Sequence, residues 1–189
     1  MGRGIDPVTG TGNGRVPRRA LSGEHETPGE IMFVRYFVEL PLSFDIAEES
    51  LLRAPPQWIP DLAKDAAAHG QALLAEAGKS GGGVALEQIA VTLGPVFRYP
   101  LRTILAMTWR PIGVRALCPT LDADIELGAL GRDRTQLSIS ARYRPALGTI
   151  GRASSRTVLQ RVAEATIKRF LDGVGHAIES RALAWHAST

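Results

Sequence analysis

The sequence predicts an α+β fold, in which two short helices follow a first strand and one long C-terminal helix covers an antiparallel sheet. The final stretch, from Gly151 to about Ala184, repeats apolar side chains every four residues, which is typical of an amphipathic helix. The middle of the chain alternates apolar and polar residues in short runs, as antiparallel strands with one solvated face do. A helix of this length is stable only against a broad surface, and the predicted sheet provides one.

The C-terminal helix carries its apolar positions in two adjacent rows. These positions are Val158, Val162, Thr166, Phe170, Val174 and Ile178, beside Leu159, Ala163, Ile167 and Leu171. Ser154 or Ser155 is placed to cap the start, and no Pro interrupts the run that follows. Arg161 and Lys168 belong to a charged opposite face, so we expect the apolar rows to face the sheet.

The chain before the sheet predicts one strand and two helices. Residues 33–44 alternate as a half-buried strand does. Asp45, with Glu48 three positions later, resembles a capping box and predicts a short helix that runs to about Arg53. A second helix is predicted from Trp58 to about Ala77.

Four or five strands are predicted next, with short connections between them. Gly94 and Pro95 are expected to end the first strand and to turn the chain into the second. The predicted spans are 84–93, 96–109, a short piece at 114–117, 120–127 and 134–143. Because the connections are short, we expect neighbouring strands to be antiparallel, with apolar residues on one face.

Length and composition are those of an ordinary globular protein. The chain has 189 residues, enough for one domain with a core, and 44% of them are hydrophobic. Residues 1–30 lack apolar periodicity and are predicted to be disordered, whereas residues 31–185 form the predicted domain. No apolar run is long enough to span a bilayer, and no secretory core begins the chain. Cys118 is the single cysteine, so we expect a reducing, cytoplasmic location.

The charge pattern does not favour a nucleic-acid partner. The net charge is only +3, and the basic residues, nearly all Arg, are scattered among acidic ones. Nucleic-acid binding needs basic residues clustered on one face. We therefore expect no nucleic-acid partner, and a homodimer is left open.

Catalytic and metal-binding patterns are weak. The histidines do not show metal-ligand spacing; they are His25, His69, His176 and His186. The Gly78-Lys79-Ser80 tripeptide lacks both the earlier Gly and the preceding strand of a phosphate loop. Asp122, Asp124 and Glu126 alternate with apolar residues, which favours a solvated face over a catalytic carboxylate pair. We expect no metal and no cofactor.

The order of elements resembles the helix-grip fold of the START-like (SRPBCC) superfamily, which includes polyketide cyclases and dehydratases and lipid-transfer domains. The resemblance covers about residues 33–182. It is sharpest at residues 143–152, Tyr-Arg-Pro-Ala-Leu-Gly-Thr-Ile-Gly-Arg, and at residues 161–166 and 170–171 of the helix that follows. Members often carry Asp-Arg inside this passage, where this chain has Ser155-Arg156.

The resemblance implies a curved sheet that wraps around the long helix and leaves a cavity for an apolar compound. Side chains on the inward strand positions and the helix stripe would line that cavity. The candidates are Tyr36, Met107, Trp109, Leu121, Ile139, Tyr143 and Phe170, with Trp58 near the mouth. Arg102 would anchor a ligand carboxylate if its strand phase points inward. The alternative is that these residues pack a solid core.

Three functions follow from these observations. The first is binding of a hydrophobic or aromatic, lipid- or polyketide-like small molecule in the cavity. The second is a polyketide-type cyclase or dehydratase in which tyrosines and Arg102 position an enolising substrate. The third is a protein-interaction or nucleic-acid module that uses an Arg-rich surface.

Overall fold

A computed structural model of the chain describes residues 31–53, 58–76, 89–112, 120–144 and 156–186. The predicted disordered segment, residues 1–30, and the predicted short strand at 114–117 lie outside these ranges. The elements, in chain order, are β1 (Met32–Leu40), α1 (Phe44–Leu52), α2 (Trp58–Glu76), β2 (Ile89–Tyr99), β3 (Arg102–Pro111), β4 (Thr120–Ala129), β5 (Thr135–Arg144) and α3 (Arg156–His186).

The five strands form one antiparallel sheet in the order β1-β5-β4-β3-β2. Its two faces follow the alternation of the sequence. On β4, for example, Leu121, Ile125 and Leu127 are buried, whereas Asp122 and Asp124 point the other way and are more exposed. We call the buried side the inward face and the opposite side the outward face.

Helix α3 lies on the inward face and completes the predicted helix-grip α+β fold. Its apolar stripe is buried as predicted: Phe170, Leu171, Val174 and Ile178 are fully buried. At Gly175 the helix backbone approaches the side chains of Val38, Leu40 and Leu137, so strands β1 and β5 support this part of α3.

Helices α2 and α3 pack closely and antiparallel. Arg169 of α3 donates to Asp65 of α2 over 2.9 Å. At Gly70, a Cβ atom would collide with the Thr166 hydroxyl oxygen, which itself donates to the carbonyl of Val162 over 2.8 Å. Only glycine therefore permits this approach without a shift of Thr166. Within the ranges that the structure describes, no helix is long and apolar enough to cross a membrane.

The predicted turn at Gly94-Pro95 is wrong. Strand β2 continues through these residues to Tyr99, and the hairpin turn to β3 falls at residues 100–101. The register between β2 and β3 shifts between Leu93 and Val96, so Gly94 and Pro95 form a bulge. Proline tolerates this position because a bulge leaves an N–H unpaired, and a Cβ at Gly94 would lie 3.1 Å from that of Ala106.

The predicted start of α1 is also displaced. Ser43 is the N-cap residue, and Asp45 lies in the first turn of the helix instead of capping it. Glu48 does not complete a capping box, because its carboxylate binds Arg98 and Thr103 of the sheet. This long-range contact takes the place of the predicted local one.

Candidate functional site

Six predicted lining residues lie together on the inward face, beneath α3. All are between 0% and 3% exposed. They are Met107, Trp109, Leu121, Ile139, Tyr143 and Phe170. These residues would be buried if they lined a cavity and also if they packed a solid core. Their burial therefore agrees with both interpretations.

Trp109, Leu121 and Tyr143 form one row across three neighbouring strands. Trp109 of β3 pairs with Leu121 of β4, and Leu121 pairs with Tyr143 of β5. Neighbouring strands are about 4.8 Å apart, so Trp109 and Tyr143 are separated by roughly 10 Å. Pro111, the last residue of β3, lies just beyond this row, and we call this the Trp109 end of the inward face.

The Trp109 ring meets α3 edge to face. Its centroid lies 6.4 Å from that of Phe170, and the ring planes are inclined by 82°. Tyr143 also contacts α3, because its hydroxyl donates to Gln160 Oε1 over 3.5 Å. Sequence analysis did not identify Gln160, whose contact joins a strand to a helix and leaves no local pattern.

The next row across the sheet contains unusually short side chains. Ala123 of β4 and Ala141 of β5 pair with each other. Larger residues stand on both sides of this pair, namely Leu121 and Tyr143 in one row and Ile125 and Ile139 in the other. The two alanines therefore form a low point in the inward face, next to Trp109 and Tyr143.

The indole nitrogen of Trp109 is buried without a hydrogen-bond acceptor among the residues that the structure describes. Trp58 Nε1 and Ser50 Oγ share this condition. An indole N–H can only donate, so it can be satisfied only by an acceptor from a ligand, a water molecule or another part of the chain. Buried polar groups in proteins are nearly always paired, and an exception of this kind calls for an explanation.

Trp58 and Tyr36 lie at the edge of the core and are partly buried. Arg181 stacks over the Trp58 ring at 4.7 Å from its centroid. The Lys168 ammonium lies 5.1 Å from the Tyr36 centroid. Its hydrogen bonds to Asp172 and to Tyr36 raise the pKa of Lys168 to about 12. Both aromatic rings therefore contact a cation of α3, a pairing that the sequence analysis missed.

Arg102 lies on the outward face and does not meet the condition set for it as a carboxylate anchor. Its neighbour Thr103, the next residue of β3, points inward and is buried. The Arg102 guanidinium donates to Glu126 over 2.9 Å, and its side chain is 53% exposed. The alternation of β3 thus turns Arg102 away from the space between the sheet and α3.

The far end of the inward face contains a hydrogen-bonded polar cluster formed by Glu48, Arg98 and Thr103. Glu48 accepts two hydrogen bonds of 3.0 Å from Arg98 and another from the buried hydroxyl of Thr103. Burial raises the pKa of Glu48, but the hydrogen bonds from Thr103 and Arg98 outweigh it and hold this pKa below its ordinary value of 4.5. Thr135 donates to the carbonyl of Leu42 over 2.9 Å. These bonds fasten α1 and the chain before it to the sheet.

Two surface depressions lie away from this core. One, of about 450 Å³, is on the outward face and is bordered by Phe33, Ala106, Asp124 and Arg142. The other, of about 460 Å³, lies between α2 and α3, where His69 is found. His176 is exposed on α3. Within the described ranges, no group of three or more potential metal ligands comes together.

Comparison with known proteins finds likeness at the level of the fold. The sequence matches no protein-family model and no curated protein. A conserved protein from Geobacillus kaustophilus is 15% identical, with a TM-score of 0.47, over 79% of this chain and 96% of the other. The Zhui aromatase/cyclase from Streptomyces sp. R1128 is 14% identical, with a TM-score of 0.41, over 82% of this chain and 94% of the other. A START superfamily protein from Mycobacterium smegmatis is 15% identical, with a TM-score of 0.35, over 81% of this chain and 98% of the other.

The element order and the sheet define a helix-grip α+β protein. At these identities, the function has to be argued from the side chains of this chain.

Proposed function

We propose that the protein binds a hydrophobic or aromatic small molecule between the sheet and α3, at the Trp109 end of the inward face. The observation that carries the proposal is the buried Trp109 indole, whose N–H has no acceptor among the described residues. A solid core would be expected to pair or exclude such a donor, because an unsatisfied buried donor costs about 1–3 kcal/mol. A bound molecule supplies both an acceptor and the reason for retaining the tryptophan.

The surroundings of the indole support an apolar ligand. Phe170, Leu121 and Met107 offer aromatic and aliphatic surface, and the Ala123–Ala141 pair keeps the sheet low beside them. Binding sites for small molecules are mostly apolar with few polar groups, and here Trp109 and Tyr143 supply those groups. Since all these residues are buried, we infer that the ligand enters by displacing side chains or α3 from the sheet.

The enzymatic alternative, a polyketide-type cyclase or dehydratase, is less well supported. It requires an acid or base beside the substrate. Among the described inward-facing side chains near Trp109, Tyr143 is the only ionisable one, and Arg102 faces outward. Glu48 is inward but belongs to the opposite end of the sheet. No described observation favours this activity over binding alone.

An interaction module based on an Arg-rich surface also gains no support. Exposed arginines are commonly paired with carboxylates, as in Arg110–Asp122 at 2.8 Å and Arg134–Glu39 at 3.4 Å. Positive charge is therefore interspersed with negative charge on the described surface.

Native mass spectrometry of the purified protein, followed by extraction of any co-purified compound, tests the proposal. We expect an excess mass that corresponds to an apolar compound, or binding of added polycyclic aromatics or fatty acids. Trp109→Ala should weaken that binding at least tenfold, and Trp185→Ala is the matched control, because Trp185 stacks against Arg53 at the other end of α3. A protein that stays free of ligand against the whole panel would overturn the proposal in favour of a solid core.

The cytoplasmic location predicted from the single cysteine belongs to the same proposal. Cell fractionation in the source organism tests it, and recovery in the periplasmic or secreted fraction would contradict it. The mass spectra also report whether the protein is a monomer or a homodimer.

A further inference from the structure

We infer that the bound molecule carries a neutral oxygen acceptor on a ring system and that Trp109 Nε1 donates a hydrogen bond to it. This inference rests on the proposed function and narrows the ligand class. Pure hydrocarbons are then not the preferred ligands. Carboxylates are expected to bind with lower affinity than ketones and other uncharged oxygenated compounds.

The Trp109 indole determines which kind of polar group the ligand carries. Trp109 is 1% exposed, and its N–H has no acceptor among the described residues. An indole can donate but cannot accept, so a ligand group that pairs with it must be an acceptor. A carbonyl oxygen on the ligand fits this requirement, whereas an ammonium group or a hydrocarbon does not.

The charges around Trp109 determine the charge of the ligand oxygen. Within the described inward face around Trp109, no cationic side chain is present to pair with a carboxylate. The cations beside Thr103 and Tyr36, Arg98 and Lys168, are exposed to solvent and are paired with Glu48 and Asp172 respectively. An ion buried without a partner is strongly disfavoured, so the ligand oxygen at Trp109 is neutral.

The distance between Trp109 and Tyr143 determines the size of the ligand. Trp109 and Tyr143 stand two strands apart, roughly 10 Å, with Leu121 between them. The low point at Ala123 and Ala141 lies directly beside this row. A flat molecule of two or three fused rings spans that distance and covers the alanines while its oxygen meets Trp109.

Three probes that share one ring skeleton test the need for an oxygen acceptor and for its neutrality. They are fluorene, 9-fluorenone and fluorene-1-carboxylate. We expect isothermal titration calorimetry on the full chain to show that 9-fluorenone binds about tenfold more tightly than fluorene, the range expected for satisfying a buried donor. The carboxylate should bind more weakly than the ketone. Trp109→Phe should abolish the preference for the ketone while changing fluorene affinity by less than about threefold.

Trp185→Phe is the matched control and should retain the preference, because Trp185 stacks against Arg53 away from this site. Equal binding of fluorene and 9-fluorenone to the wild type would overturn the inference while leaving the proposed function in place. If the carboxylate binds most tightly of the three, the inference that the ligand oxygen is neutral is overturned. If none of the three probes binds but a fatty acid does, the ring-system part of the inference fails and the proposed function stands. The proposed function fails only if the whole panel of polycyclic aromatics and fatty acids does not bind.

A second test is read on the wild-type protein and does not need a variant of Trp109. The chain has three tryptophans, so its NMR spectrum contains three indole N–H signals. Trp58→Phe and Trp185→Phe assign them. We expect 9-fluorenone, but not fluorene, to shift the Trp109 signal downfield as its N–H becomes hydrogen-bonded. A shift of the same size with both probes would contradict the proposed bond.

Discussion

The two ends of the inward face differ in whether the buried polar groups of the strands are hydrogen-bonded. At the far end, Thr103 and Thr135 are fully buried and both are hydrogen-bonded, one to Glu48 and the other to a backbone carbonyl. At the Trp109 end, a buried indole N–H has no described acceptor. Both ends contain residues of the same strands, under the same helix.

This difference distinguishes a structural core from a candidate site. A hydrogen-bonded cluster such as that of Glu48 and Thr103 contributes to one fixed arrangement of α1 against the sheet. An unpaired donor destabilises the free protein, so its presence is easiest to understand where another molecule completes it. Substitutions placed at one end and matched at the other test this difference.

The largest effect is expected for Leu137→Ala. Leu137 is fully buried on β5 and lies beneath Gly175 of α3, where a Cβ atom would meet its side chain at 3.7 Å. Truncation should lower the free energy of unfolding by about 2–5 kcal/mol, measured by urea denaturation. Leu121→Ala, beside Trp109, is the matched substitution and should cost less. Equal losses would mean that both ends are packed alike, and the distinction between them would be lost.

A smaller effect is expected for Glu48→Ala. The substitution leaves the buried Thr103 hydroxyl and the Arg98 guanidinium without their acceptor, which should cost about 1–3 kcal/mol of stability. Glu126→Ala removes an exposed partner of Arg102 and should cost less than about 1 kcal/mol. Thermal or urea unfolding measures both. A Glu48→Ala protein as stable as the wild type would show that the far end does not depend on its polar cluster.

The smallest effect concerns pH. Because the pKa of Glu48 is lower in the folded protein than its ordinary value of 4.5, the unfolded chain binds this proton more readily. The stability that the ionised carboxylate contributes is therefore complete above about pH 4.5 and is lost as the pH falls through the lower, folded pKa.

The comparison protein for this test is Glu48→Gln, which cannot ionise. Urea unfolding of both proteins from about pH 6 down to about pH 3.5 should show a steeper loss for the wild type below pH 4.5. Parallel curves would rule out a contribution of Glu48 to acid sensitivity.

Periodicity was sufficient to predict the fold because burial on one face acts at every second or fourth position. The helix stripe that contains Phe170 and Val174, and the inward phase of Met107 and Trp109, are both found as expected. Such patterns are local, so they can be recognised without knowledge of the partners across the sheet.

The predictions that failed depended on contacts between distant parts of the chain. Gly94 and Pro95 suit a turn as well as a bulge, and only the pairing of β2 with β3 decides between them. Glu48 is spaced for a capping box, but Arg98, fifty positions away, binds it instead. The missing acceptor of Trp109 likewise depends on everything that surrounds the indole in three dimensions.

The bulge in β2 also affects how copies of the protein meet in concentrated solution. β2 is an edge of the sheet, and a regular edge offers a row of backbone groups on which another strand can assemble. Pro95 has no N–H to offer, and the register shift from Leu93 to Val96 breaks the regular spacing of the remaining groups. A strand from a second copy can therefore match this edge only over short lengths, which disfavours fibril-like sheet growth through β2.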